Sequence, residues 1–193
     1  MENTKKKIQP ILKTERLILR PFRVEDAHDV RRLAGDYEIA KTTLNIPHPY
    51  EDGMAEAWIN THKQLFEHGI EVIFAITDKQ KKHLIGSIGL HKIKREYDTA
   101  EMGYWIGKPY WNNGYCTEAG GAILEYGFNM LKLNRIYAFH FNTNPASGKV
   151  LQKIGMTHEG CLRQDIKKWG EYLDLEVYGI LKEEFIKGKP SVK

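Results

Sequence analysis

Trp111-Asn112-Asn113-Gly114-Tyr115-Cys116 is the stretch whose residue types are best suited to chemistry. Asparagine and glycine let a backbone turn sharply, so successive N–H groups converge as a nest. Before it, Glu101–Ile106 is rich in aromatic and branched residues and reads as a buried strand. After it, Thr117–Leu131 repeats apolar residues at Ala119, Ala122, Ile123, Tyr126 and Met130, which is helical spacing. Strand, tight turn and helix make an anion site: the first-turn N–H groups are unpaired and the helix dipole favours negative charge. A phosphate group is its natural ligand. On those three pieces alone an ordinary βα connection is the plainer reading. Gly120, Gly121 and Gly127 shift the balance. Each costs about 0.5–1 kcal/mol against Ala inside a helix, and close approach of a backbone or ligand is the usual reason. Neither G-x-G-x-x-G nor G-x-x-x-x-G-K-[ST] is present, which sets aside the nucleotide folds built on them.

The elements that must position this turn follow from periodicity. Thr14–Phe22 predicts a first strand and Arg23–Gly35 a helix with Val24, Ala27, Val30, Leu33 and Ala34 on one face. Asp36–Tyr50 is irregular, and Glu51–Gly69 predicts a second helix. Val72–Thr77, Leu84–Lys94 and Thr99–Ile106 are strands, with Gly86 and Gly89 suggesting a bend or bulge. Arg135–Phe141 is the next strand, and strand–helix–strand here implies a parallel pair in an otherwise antiparallel sheet. Asn144–Gly155 is a punctuated helix, with Asn144 as N-cap, Pro145 at its first position and Gly155 as left-handed stop. Met156–Lys167 and Tyr172–Leu181 form a closing hairpin around Lys168–Gly170.

A chain of 193 residues suits one domain. Basic tails at 1–13 and 184–193 flank a body at 14–183. Residues 1–7 carry a net +2 and residues 187–193 a net +3, which leaves −1 of the formal +4 for the body. The fold itself therefore shows no nucleic-acid footprint, and no DNA partner is expected. Cys116 and Cys161 are isolated, as suits a reduced, cytoplasmic setting. No histidine or cysteine cluster implies a metal, and no apolar run reaches membrane-spanning length.

The W-N-N-G-Y-C loop resembles the acyl-CoA loop of the GNAT N-acetyltransferases, Q/R-x-x-G-x-G/A, in the W-x-x-G-Y-A-T-E-A form of the ribosomal-protein N-acetyltransferase branch. Cys116 stands where Gly or Ala is usual, and Trp111 replaces Gln/Arg. The second GNAT motif is matched by N-P-A-S-x-x-V-L-x-K-I-G-M at 144–156 and E-G-C-L-R at 159–163, at the right distance from the first. The opening T-x-R-L-x-L-R-P and the final Y-L-D-x-x-x-Y extend the resemblance over nearly the whole body.

The resemblance implies an α+β fold: a mostly antiparallel seven-stranded sheet, about four helices on its two faces, and the fourth and fifth strands splayed. It implies acetyl-CoA (coenzyme A), with pantetheine along the backbone of Trp105–Ile106. The pyrophosphate is expected on the N–H groups of Asn113, Gly114, Tyr115, Cys116 and Thr117, beside Trp111 and Asn112, with Asn144, Ser147 and Lys153 facing the cofactor from the next helix. The reaction implied is acetyl transfer to an amine acceptor, a protein or peptide N-terminus such as a ribosomal protein's. A small-molecule amine and a non-catalytic acyl-CoA-binding module remain alternatives, and the chain is expected as a monomer or homodimer. Glu101 is the candidate base, a backbone N–H near Tyr104 the candidate to polarise the thioester, and Ser147 the candidate proton donor to the thiolate. Tyr37, His48 and Trp58 are the candidate acceptor contacts. Cys116, as a thiol at a helix N-terminus, has the placement of a nucleophile, but the family position and a neighbouring pyrophosphate argue for direct transfer instead.

Overall fold

The computed structural model describes residues 8–188. Its elements in chain order are β1 (Leu12–Lys13), β2 (Leu17–Arg20), a 3-10 turn (Val24–Asp26), α1 (Ala27–Ala34), α2 (Tyr37–Ala40), α3 (Met54–Glu67), β3 (Val72–Asp78), β4 (Leu84–Lys94), β5 (Thr99–Ile106), a second 3-10 turn (Lys108–Tyr110), α4 (Tyr115–Asn129), β6 (Arg135–Phe141), α5 (Pro145–Lys153), β7 (Thr157–Lys168), β8 (Glu171–Leu181) and α6 (Lys182–Gly188). The strands form one sheet in the order β1-β2-β3-β4-β5-β6-β8-β7, antiparallel except for β5 with β6.

Three differences from the sequence reading have local causes. The expected strand Thr14–Phe22 shortens to β2, and a two-residue strand β1, within the expected tail, pairs antiparallel with it across a tight turn at Thr14–Arg16, which gives eight strands instead of seven. The expected helix 23–35 opens as a 3-10 turn that leaves Val24 half exposed, while Ala27, Val30, Leu33 and Ala34 are buried as the spacing requires. Both expected tails are partly tied down. Gln9 donates its side-chain amide to the Ile73 carbonyl (2.8 Å), and β1 pairs with β2. At the other end α6 runs past 183, with Phe185 against Phe128 at 5.1 Å between ring centres.

The core has one layer on each face of the sheet. Under α4 and α5 lie Leu17, Phe74, Ile88, Ala100, Met102, Ile123, Phe128 and Ile136. Under α1 and α3 lie Val30, Leu33, Ile59, Ala75, Leu84 and Trp105. Two of the three helix glycines have the close approach their cost implied. A Cβ on Gly120 would stand 3.1 Å from Ile154 Cδ1, and one on Gly127 2.6 Å from Ile136 Cδ1. Gly121 faces open space and has no packing reason. The expected irregularity near Gly86 is present on β4: Ile76 pairs with Gly86 and Thr77 with Leu84, which leaves Ile85 as the extra residue. The closing hairpin turns on Trp169 (φ +50°) and Gly170 (φ +91°), the paired left-handed residues of a two-residue turn. Its outer strand β7 forms the sheet edge and breaks register with β8 twice, between His158 and Gly160 and between Leu162 and Ile166.

β5 carries the site and is set by contact with Gly86, where any Cβ would run into the Trp105 carbonyl oxygen. Backbone, not a mobile side-chain end, would have to give. Gly86→Ala is therefore expected to destabilise the fold by about 2–3 kcal/mol, read as a drop in urea midpoint at unchanged slope. An unchanged midpoint would show that β4 and β5 are not in tight apposition.

Candidate active site

β5 and β6 pair at Thr99–Arg135, Ala100–Ile136 and Glu101–Tyr137, and then part. Which backbone groups face the resulting fork follows from the ladder on the other side. Gly107 N–H donates to the Ile85 carbonyl (2.9 Å), so 107 and 85 are a hydrogen-bonded pair. Alternation along the antiparallel register then turns Gly103 and Trp105 toward β4, and Met102, Tyr104 and Ile106 toward β6. The Arg135 N–H donating to the Asp98 carbonyl (3.2 Å) agrees with that parity. Beyond Glu101, the Met102 carbonyl and both backbone groups of Tyr104 have no strand opposite. This amends the expectation for Trp105–Ile106. The Trp105 groups belong to the β4 ladder, and the Ile106 carbonyl accepts from the Trp111 indole N–H at 2.6 Å. The side chains of Trp105 and Ile106 are buried in opposite core layers. An open strand segment of this kind can pair with an extended amide chain.

The glycine turn stands where the fork opens. Asn112 (φ +61°) and Gly114 (φ +76°) are both left-handed, and Gly114 is the residue that precedes α4. The first intrahelical bond is Glu118 N–H to the Gly114 carbonyl (3.0 Å), so the N–H groups of Gly114, Tyr115, Cys116 and Thr117 point out past the helix end. The Asn113 side chain closes the turn on itself, donating to the carbonyls of Trp111 (2.8 Å) and Tyr110 (3.2 Å).

What fixes the turn in space lies a hundred residues upstream. Glu118 Oε1 accepts from the Thr14 hydroxyl (2.6 Å) and the Arg16 N–H (2.8 Å), and Oε2 from Arg16 Nε (2.6 Å). The same guanidinium donates to the Asn113 carbonyl (2.9 Å) and lies 4.8 Å over the Tyr115 ring. Sequence reasoning did not assign Thr14, Arg16 or Glu118 to the site. The signal was the T-x-R opening, whose polar residues have no use in a plain strand.

Tyr104 sits on the α5 side of β5. Its hydroxyl is 2.7 Å from Ser147 Oγ and donates to the Ser147 carbonyl at 3.2 Å. Burial, with the nearby Cys116, pushes the Tyr104 phenol far above its ordinary range despite the Ser147 hydrogen bond, so it carries its proton throughout the neutral range. Ser147 is placed by α5, whose Asn144 cap accepts the Ser147 N–H at 3.4 Å. Lys153 is exposed on the last turn of that helix. Cys116 packs on the core, and burial raises its thiol above the usual cysteine range, the opposite of an activated nucleophile.

Glu101 projects from the other face of β5, so it does not meet Ser147 directly. Its Oε2 accepts from Lys92 Nζ at 2.8 Å. The three candidate acceptor contacts separate. Trp58 packs into the α3 layer against Phe22 and His62, 5.0 and 4.4 Å between ring centres. Tyr37 and His48 instead join Trp169, which stacks on Tyr37 at 5.4 Å. Lys168 Nζ anchors that hairpin tip by donating to the Thr43 carbonyl at 2.6 Å. Trp169 was missed because its partner segment, 36–50, carries no motif. Among the described residues no group of side chains could hold a metal ion, and no helix is long and apolar enough to cross a membrane.

A fork with unpaired backbone beside an anion-facing turn is a site for a long thioester carrying phosphates, and comparison with known proteins agrees. Residues 16–157 match the acetyltransferase (GNAT) domain. Uncharacterized N-acetyltransferase YoaA of Bacillus subtilis is 34% identical over 173 residues, 90% of this chain and 97% of its own. A solved GNAT-family acetyltransferase from Bacillus anthracis superposes with a TM-score of 0.80 at 30% identity, covering 90% of this chain and 99% of its own. The chain belongs to the GNAT acetyltransferase family. It is an acetyl-CoA-dependent N-acetyltransferase. Relatives differ in acceptor: spermidine N(1)-acetyltransferase of Vibrio cholerae is 25% identical over 88% of this chain and 95% of its own. RimL, a ribosomal L7/L12 alpha-N-protein acetyltransferase solved with coenzyme A, shares the fold, with a TM-score of 0.82 at 17% identity over 89% of this chain and 98% of its own.

Burial alone would raise the Glu118 carboxyl, but the hydrogen bonds from Thr14 and Arg16 outweigh it and hold the group below the ordinary glutamate value. A carboxyl depressed in the folded state adds stability above its unfolded pKa, about 4.3, which is lost as pH falls through the folded value. Glu118→Gln is expected to cost about 1–2 kcal/mol at neutral pH, and the gap to wild type should close as pH drops below about 4. Urea unfolding across that range checks it. Profiles that stay parallel to about pH 3 would remove Glu118 from this role.

Proposed function

We propose that the enzyme acetylates the α-amine of a protein or peptide N-terminus by direct transfer, with acetyl-CoA and acceptor bound together. The observation that carries the acceptor reading is Glu101. The carboxylate at the base of the fork is already matched by Lys92. Around the expected acceptor wall Arg31 matches Asp52, Lys41 matches Glu38, and Asp36 is spent capping α2. A polyamine would need unmatched carboxylates for its several charges, whereas an N-terminus brings one amine and a hydrogen-bonding backbone. Energetics point the same way. Deprotonating an α-amine of pKa about 8 at neutral pH costs about 1.4 kcal/mol, against about 4.6 for a lysine near 10.4.

Acetyl-CoA supplies the acyl group as a thioester. Its residues here are the Tyr104 backbone for the amide chain, the N–H groups of Gly114–Thr117 for the pyrophosphate, and Asn144 and Ser147 at the α5 end. The Tyr104 N–H is aimed at the fork, where it can hydrogen-bond a carbonyl oxygen as negative charge grows on it. Tyr104 and Ser147 offer a hydrogen-bonded hydroxyl pair to the departing thiolate, and the raised phenol keeps its own proton while it does so.

An amine panel tests the acceptor: short peptides with free N-termini are expected to turn over fastest near neutral pH. A blocked peptide acetylated faster on its lysine, or a polyamine ahead of every peptide, would overturn that reading. Initial-rate plots with varied acetyl-CoA and acceptor should intersect, and Cys116→Ala should keep kcat within about twofold, since a thiol of raised pKa is no nucleophile. Parallel lines, or an acetyl group found on Cys116 by mass spectrometry, would replace direct transfer with a covalent route.

A further inference from the structure

Glu71, His91, Glu101 and Tyr137 lie in one line across four neighbouring strands. Val72 pairs with Leu90, which sets Glu71, the residue just before β3, against His91. His91 pairs with Glu101, and Glu101 with Tyr137, the last rung before the fork. Register partners project to the same face, so the line leads from the α3 side of the sheet to the fork's closed end. Within it the carboxylates are used differently. Glu101 is occupied by Lys92, which the register shift after His91 and a left-handed φ of +48° fold back over the strand. Glu71 Oε2 instead lies 3.3 Å from His91 Nδ1.

A carboxylate at Nδ1 keeps that nitrogen protonated and leaves Nε2 as the acceptor, the division of labour that makes an imidazole a general base. Nε2 has no hydrogen-bond partner among the described residues. The ring lies over Gly103: a Cβ there would stand 3.2 Å from both Cδ2 and Nε2. With glycine at 103 the strand face in front of the nitrogen is open, one residue from Tyr104 and two beyond the last rung. The other titratable or charged groups facing His91 are Lys92 on its own strand, Glu101 on β5, Tyr137 on β6 and His62 from α3. His62 is buried and walled by Phe22 and Trp58, with neither ring nitrogen hydrogen-bonded, and burial lowers it to about 4, so it stays uncharged beside the pair.

We propose that His91, oriented by Glu71, is the general base of the transfer, and that Glu101 with Lys92 frames the acceptor instead of taking its proton. As the amine nitrogen bonds to the acyl carbon and the carbon–sulfur bond breaks, one proton passes from that nitrogen to His91 Nε2, directly or through one water. The departing thiolate accepts a hydrogen bond from the Tyr104–Ser147 pair, which keeps its own proton, and is protonated from solvent, while His91 releases its proton to solvent, to which its side chain is 31% exposed. The inference rests on transfer to an amine at the fork but not on which amine. With the best acceptor of the panel, whatever its kind, His91→Ala is expected to lower kcat about a hundredfold. Its acetyl-CoA Kd should stay within about twofold, with partial recovery on adding imidazole. Glu71, a positioning residue, should show a smaller kcat loss in Glu71→Gln at unchanged acceptor KM, largely restored in Glu71→Asp. Glu101→Gln should move acceptor KM more than kcat. Folding of each variant is checked by its melt, and if His91→Ala unfolds, the Glu71 pair decides. His91→Ala with wild-type kcat, a loss that imidazole leaves untouched, or Glu71→Gln indistinguishable from wild type would overturn the proposal. A wrong acceptor class would appear in the wild-type panel alone.

Discussion

The Glu118 carboxylate takes hydrogen bonds from Thr14 and from two groups of Arg16, and through them the opening strands hold the first turn of α4. An acid near a helix N-terminus is favourable in itself, but here its larger effect is positional. The chain reverses between β1 and β2 in a tight turn at Thr14–Arg16, and that turn presents the donors to α4. The hairpin turn at the sheet edge and the anchoring of the glycine turn are one feature. The guanidinium is bound through Nε and Nη1 by Glu118 and Asn113, and its Nη2 lies 3.5 Å from where a Gly114 Cβ would stand, so the same residue that anchors the turn also flanks it with positive charge.

The parting of β5 from β6 divides labour between two sheet faces. Residues alternate across β5, so Tyr104 reaches Ser147 on the α5 face while Glu101 reaches Lys92 on the other. The two sets of groups communicate only across the gap between the strands. That arrangement suits a reaction in which one substrate's sulfur must gain a proton while the other's nitrogen loses one, because neither set can neutralise the other. The wedge holds because β4 backs β5 along its length, with glycine at 86 allowing close backbone approach to β5 and glycine at 89 to β3 on the other side.

Strand limits at Leu84–Lys94, Thr99–Ile106 and Arg135–Phe141 were legible to the residue, because alternation and β-branched runs are local. So was the capped helix after Asn144, where proline and glycine mark both ends. What could not be read depends on distant pairing. Nothing local says that Trp111 will reach back to the Ile106 carbonyl and move the open backbone to Tyr104. Tyr37, His48 and Trp58 looked alike as aromatic residues of one region. Only packing sends Trp58 into the α3 layer and brings Trp169 from the far hairpin to the other two. The row through His91 was invisible for the same reason, since register across four strands is a property of the sheet and not of any one strand.

The long outer strand β7 is an unguarded margin by length alone, and such a margin invites other chains to add to it. Its two breaks in register change that. Regular rungs run only Thr157–His158, Gly160–Leu162 and Ile166–Lys168, so no uninterrupted stretch exceeds three residues. Left-handed residues at Gly160 and Gln164 reorient the backbone between them. A foreign strand laid along this margin would lose registry every few residues and could not zip. The protein thus keeps a reach long enough to carry Trp169 to Tyr37 without offering a template for runaway growth of the sheet.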